Sequence, residues 1–191
     1  MYFPKDMNFQ YFFFSTYPGY FLQILPVALL AGAVYWAIKF RGRREITKGR
    51  MLCGTLFVCY MAGLVCLLLA LDAIGDVWYL LLYHRSEFGV RANTWDYNLI
   101  PHIHRWLEGE SLANIALYLP FGFLYPLAGD RRTWKRTLLA GFLCSLGIEL
   151  VQPLVGRAFD INDIMLNTLG VLVSATLLFA VKKIIAARRD A

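Results

Sequence analysis

Glu149, Gln152, Arg157, Asp160, Asp163 and Asn167 fall in one short stretch of the chain, and each has a side chain that can bind or react. Glu149 stands about two turns inside an apolar run, where an ionisable group is costly and usually marks function. It is either the internal partner of Arg157 or a neutral acid in an apolar setting, and both readings stay open. Arg157 offers a planar fork that matches carboxylate or phosphate. If the site is catalytic, Glu149 is the candidate general acid or base. Asp160 and Asp163 would then orient groups or hold a metal, and Arg157 would meet phosphate. No nucleophile and no complete metal set accompanies them. His102 and His104 point the same way only on a strand, and no third ligand is suitably spaced. No metal and no other cofactor is expected, and no P-loop, GxSxG or HExxH motif is present.

The polar residues recur at helical spacing. Ser145, Glu149, Gln152 and Gly156 follow steps of four, three and four, and so do Asp163, Asn167, Gly170 and Ser174; each set lies on one helix face. Asn114 and Tyr118 share a third face, behind Ser111 as the expected N-cap, while Asn98, Arg157, Asp160 and Asn162 lie just outside the apolar runs. Plainer roles compete. Gly141, Ser145, Gly170 and Ser174 are small enough simply to let helices approach. Asn114 and Asn167 suit interhelical hydrogen bonds, and Asn162 or Asp163 suits the N-cap of the last helix.

Positioning these faces requires long helices. A run of about twenty apolar residues crosses a hydrocarbon core, and five such runs are read: Tyr20–Ile38, Met51–Leu71, Leu112–Ala128, Thr137–Val155 and Ile164–Val181. The expected fold is therefore all-α, a single membrane-embedded bundle of about five helices over residues 1–191. Between the second and third runs, Asp72–Ser111 forms the largest aqueous segment. Its Val77–Tyr83 is too short to cross and suits the interface, where tryptophan and tyrosine favour the headgroup level. Arg91–Pro101 reads as a loop.

Charge sets the orientation. Fourteen of the nineteen Lys and Arg residues lie on one side of a five-span arrangement. Lysine and arginine favour the cytoplasmic side, so the N-terminus is expected outside and the C-terminus in the cytoplasm. The net charge of +6 comes from three short clusters between apolar runs, which argues against a nucleic-acid surface. Hydrophobic residues make up 59% and charged residues 17%, below the roughly 25% charged of a soluble domain. Cys53, Cys59, Cys66 and Cys144 all sit in apolar runs and read as packing residues.

Four blocks in order carry a family resemblance: Asn98-Leu-Ile-Pro101; Asn114-Ile-Ala-Leu-Tyr-Leu-Pro120-Phe121-Gly122-Phe123; Ile148-Glu149-Leu-Val-Gln152; and Arg157-Ala-Phe-Asp160-Ile-Asn162-Asp163-Ile-Met-Leu-Asn167-Thr-Leu-Gly170. Over about Asn98 to Ser174 the chain resembles the VanZ-like family, bacterial membrane proteins named for low-level resistance to the glycopeptide teicoplanin. His102 and Ser174 depart from the family's usual residues. The resemblance implies a multi-pass protein of the bacterial cytoplasmic membrane and supplies no accepted substrate, cofactor or catalytic residue.

The expectation is an envelope protein whose outer-leaflet site binds an anionic lipid headgroup or a peptidoglycan precursor. Asn98, Asn114, Glu149, Gln152, Arg157, Asp160, Asp163 and Asn167 are its candidate binding residues. Membrane lipids are its expected partners, nucleic acid is not, and nothing in the sequence sets an oligomeric state. An intramembrane enzyme acting on lipid-linked headgroups is the rival class. A small transporter subunit is the third, although five spans without a repeat make a thin frame for alternating access.

Overall fold

Long apolar runs satisfy their backbone in a membrane only as helices or closed barrels, and this chain takes the first solution. A computed structural model describes residues 8–42, 47–85, 96–101, 109–129 and 132–189. The elements are α1 (Phe9–Ser15), α2 (Tyr17–Arg41), α3 (Lys48–Leu69), α4 (Leu71–Tyr83), β1 (Tyr97–Asn98), α5 (Gly109–Ala128), α6 (Trp134–Val151), a 3-10 turn (Gln152–Val155), β2 (Phe159–Asp160) and α7 (Ile161–Arg189). Tyr17–Arg41, Lys48–Leu69, Ser111–Ala128, Trp134–Val155 and Ile161–Arg189 are each long and apolar enough to cross a membrane. The protein is thus a multi-pass membrane protein, as the apolar runs predict.

Several details differ from the sequence reading. The second span stops at Leu69, because the backbone breaks at Ala70 before α4 begins. At about 1.5 Å per residue the 13-residue α4 is about 20 Å long, short of a hydrocarbon core of about 30 Å. Ser111 lies inside α5, which begins at Gly109, and so is not its N-cap. Tyr97–Asn98, read as loop, pairs in parallel with Phe159–Asp160. The His102 and His104 pair lies outside the described residues.

Helix α1 has no counterpart in the sequence reading. Asn8 caps it by accepting from the Tyr11 N–H at 2.7 Å. Its Phe13 and Phe14 pack with Tyr79 of α4 in a buried aromatic cluster, and Gln10 Nε2 donates to the Tyr79 hydroxyl at 3.0 Å. Trp78 Nε1 donates to the Gln23 carbonyl of α2 at 3.0 Å, which fixes α4 against the start of the first span.

The core is made by α5 lying along α7, with α6 beside α7 and with α3, itself paired with α2, against α5. Leu64, Tyr118, Phe121, Ile148 and Val171 meet at its centre. Two glycines set the α5–α7 spacing. A Cβ at Gly170 would collide with the Ile115 carbonyl oxygen, and one at Gly122 would lie 2.8 Å from that of Val171. Lipid tails are as apolar as leucine, so close backbone approach of this kind supplies much of the packing energy in a membrane. The packing role read for Gly170 therefore holds.

Candidate functional site

Three helices converge where α6 ends and α5 and α7 begin. Helix α6 closes in the 3-10 turn Gln152–Val155, and Gly156 then reverses the chain at φ 79, a backbone conformation natural to glycine. Gly156 is thus the hinge of the turn and not a member of the α6 face. The Arg157 N–H donates to the Gln152 carbonyl at 3.0 Å, and β2 then leads directly into α7.

Asp160 is the hub. Its Oδ1 accepts from the Asn162 N–H at 2.7 Å and from Asn162 Nδ2 at 2.8 Å. This makes Asp160 the N-cap of α7, a role the sequence reading left to Asn162 or Asp163. Its Oδ2 accepts from Asn98 Nδ2 at 2.9 Å. Its own N–H donates to Glu149 Oε2 at 3.1 Å. The Phe159 N–H donates to the Asp96 carbonyl at 3.0 Å, and Asn162 Nδ2 reaches the Ile100 carbonyl at 3.3 Å. Segment 96–101 is thereby stitched onto the α6–α7 connection.

Glu149 is buried at 1% exposure, and Gln152 is buried beside it. With the Gln152 amide turned to satisfy both groups, its nitrogen donates to the two Glu149 oxygens at 2.8 and 3.2 Å. Asp160, Asp163 and Arg157 are the charges that act on Glu149. Both Glu149 oxygens thus accept hydrogen bonds from the protein, so its carboxyl holds the turn in place.

The residues form two tiers one helical turn apart. In the first, Asn114 of α5 and Asp163 of α7 join through Asn114 Nδ2 donating to Asp163 Oδ1 at 2.6 Å, with Glu149 at the same level of α6. In the second stand Tyr118 of α5, Ser145 of α6 and Asn167 of α7, four residues along in each helix. Asn167 Nδ2 donates to Ser145 Oγ at 3.0 Å. Among the described residues the Tyr118 hydroxyl and Asn167 Oδ1 are buried without a hydrogen-bond partner. Each orphaned buried atom costs about 1–3 kcal/mol. Ser174, deeper still, bonds back to the Gly170 carbonyl at 2.8 Å.

Arg157 is exposed on the turn, and its Nη1 donates to the Leu68 carbonyl at the end of α3 at 3.3 Å. The eight candidate residues gather around the α6–α7 connection: hydrogen bonds join Asn98, Asp160, Glu149 and Gln152 in one network, Asn114 pairs with Asp163 and Asn167 with Ser145, and Arg157 lies on the rim. The Leu68 and Ile100 carbonyls, which bind the rim in place, carry no sequence signal because any residue supplies a carbonyl. Among the described residues no group of three or more His, Cys, Asp or Glu is placed to hold a metal ion.

Comparison with curated proteins and with solved structures gave no match. A family model described as VanZ/LLP1 matches residues 56–183, about two thirds of the chain. The match takes in the whole site and begins within α3, well before the Asn98 block. On that match, the chain is a member of the VanZ/LLP1 family.

Proposed function

We propose that this protein is an envelope protein of the bacterial cytoplasmic membrane, and that it binds an anionic group at the outer-leaflet end of α5, α6 and α7. The N-terminus lies outside and the C-terminus in the cytoplasm, on the basic-residue sorting. The ligand is a lipid headgroup or the carboxylate of a peptidoglycan precursor. Glycopeptides act on such precursors outside the membrane, and any link to teicoplanin resistance would run through this ligand.

One observation carries the reading. Asp160, Asp163 and Glu149 accept hydrogen bonds from within the cluster, and Arg157, the cationic residue of the same turn, is exposed at its rim. The acids build the turn, and the arginine adds a positive charge at its edge. Asp160 caps the N-terminus of α7, and Arg157 is the proposed anchor.

Arginine grips carboxylate or phosphate with two parallel N–H donors, which lysine cannot reproduce. In detergent solution, native mass spectrometry with phosphatidylglycerol and with a cell-wall precursor pentapeptide reads the binding. Arg157→Lys is expected to lose about tenfold or more in affinity for one of them, with little change in Tm. Equal binding by wild type and Arg157→Lys would overturn the reading.

A further inference from the structure

A second feature lies along α3, the helix whose end Arg157 contacts. Between α2, α3 and α5 lies a groove of about 570 Å³, lined by apolar side chains that include Leu25, Ala28, Gly63, Leu64, Leu67 and Leu117. That volume lies within the roughly 300–1,000 Å³ of ligand sites. Tyr60 also lines it, but its hydroxyl donates to the Leu117 carbonyl at 3.0 Å and adds no polarity to the groove.

Shape and position identify the occupant. Along α2 the lining runs from Pro18 to Ala28, about 15 Å at 1.5 Å per residue, which is half a hydrocarbon core of about 30 Å. The groove therefore has the depth of one leaflet. Phe21 and Leu25 at its edge are 53% and 46% exposed, so it opens sideways toward lipid. Its upper end is Leu67, and the next residue, Leu68, is the one whose carbonyl takes Arg157 Nη1. The Arg157 side chain thus reaches α3 one residue beyond the lining of a slot that is one leaflet deep and almost wholly apolar.

We propose that the groove holds a hydrocarbon tail of an anionic membrane amphiphile whose headgroup lies at Arg157. The headgroup half rests on the proposed function above; the tail half rests on the groove alone. Lipid tails gain little from apolar protein surface as such. A tail is held here because three helices contact it at once and the arginine fixes the end to which it is attached.

The test separates the two halves. Gly63 faces the groove with open space: a Cβ there would meet only Ala28 Cβ at 3.8 Å and Ile24 Cδ1 at 3.9 Å. Gly63→Phe would fill the slot. Phosphatidylglycerol is the amphiphile probe, and water-soluble glycerophosphoglycerol is the same headgroup without tails. Gly63→Phe is expected to weaken phosphatidylglycerol binding about tenfold and to leave glycerophosphoglycerol binding unchanged; Arg157→Lys weakens both. Unaltered phosphatidylglycerol binding by Gly63→Phe would overturn the groove proposal. Loss in Gly63→Phe without any effect of Arg157→Lys would keep the groove and remove the anchor. The wild-type protein gives a readout that no variant's folding can confuse. Cys59 lines the groove and Cys53 does not. Phosphatidylglycerol should slow N-ethylmaleimide labelling of Cys59 relative to Cys53, and glycerophosphoglycerol should not. Equal protection of both thiols counts against the tail site.

Discussion

Asn98 Nδ2 donates to Asp160 Oδ2 at 2.9 Å across 62 residues of chain, in register with the parallel pairing of Tyr97–Asn98 and Phe159–Asp160. The same carboxylate caps α7 through its other oxygen. One side chain thus fixes both where the last helix starts and where segment 96–101 lies.

Removing that carboxylate loses a helix cap and a charge-assisted bond together. A cap is worth about 0.5–2 kcal/mol, and a hydrogen bond to a charged group about 1.5–3 kcal/mol. Asp160→Ala is therefore expected to lower Tm in detergent more than Asn98→Ala does. A smaller effect of Asp160→Ala would mean that the α7 cap contributes nothing.

Glu149 acts by accepting the Asp160 N–H, which an amide oxygen can also do. Glu149→Gln is expected to keep wild-type Tm within about 1 kcal/mol, and Glu149→Leu to lose about 1–3 kcal/mol by orphaning that N–H. Phosphatidylglycerol binding should follow the same order. Loss of binding in a fully stable Glu149→Gln would instead assign a direct role to the acid.

Helix spacing gives a paired prediction. Gly170→Ala forces a Cβ against the Ile115 carbonyl of α5, and its Tm should fall by the equivalent of about 1–3 kcal/mol. Gly147→Ala meets nothing within 4 Å and should be neutral, or stabilising by up to about 1 kcal/mol. Equal Tm for the two variants would show that α5 and α7 are not in close contact.

Orientation is read by labelling. Single cysteines replacing Leu99 and Thr133, both exposed, in a chain whose native cysteines are replaced, should differ toward an impermeant maleimide. In intact cells Leu99→Cys is expected to react and Thr133→Cys to stay silent. The reverse pattern would put the site on the cytoplasmic face.

The spans were legible because an apolar run of such length has only one open solution in lipid. The faces of α6 and α7 were legible because Glu149, Asp163 and Asn167 interrupt those runs at helical steps. Three features were not. Tyr97–Asn98 is too short for strand alternation to register. Helix α1 follows from docking Phe13 and Phe14 on Tyr79, and a seven-residue aromatic segment has no decisive period of its own. Asp160, Asn162 and Asp163 are all good caps by residue type. Which one caps depends on where the chain turns, and that is set by the positive φ of Gly156 and by the Asn98 contact.

The parallel pairing of β1 with β2 has a consequence for assembly. Parallel neighbours need a crossover, and here the crossover is the whole α5–α6 hairpin. The ladder cannot close until both helices of that hairpin have crossed the bilayer. Bringing residues so distant in sequence together carries the entropy of closing a long loop, and helix insertion meets most of that cost beforehand. Ladder formation accordingly follows the placement of α5 and α6, and an intact Asn98–Asp160 contact requires both helices of that hairpin.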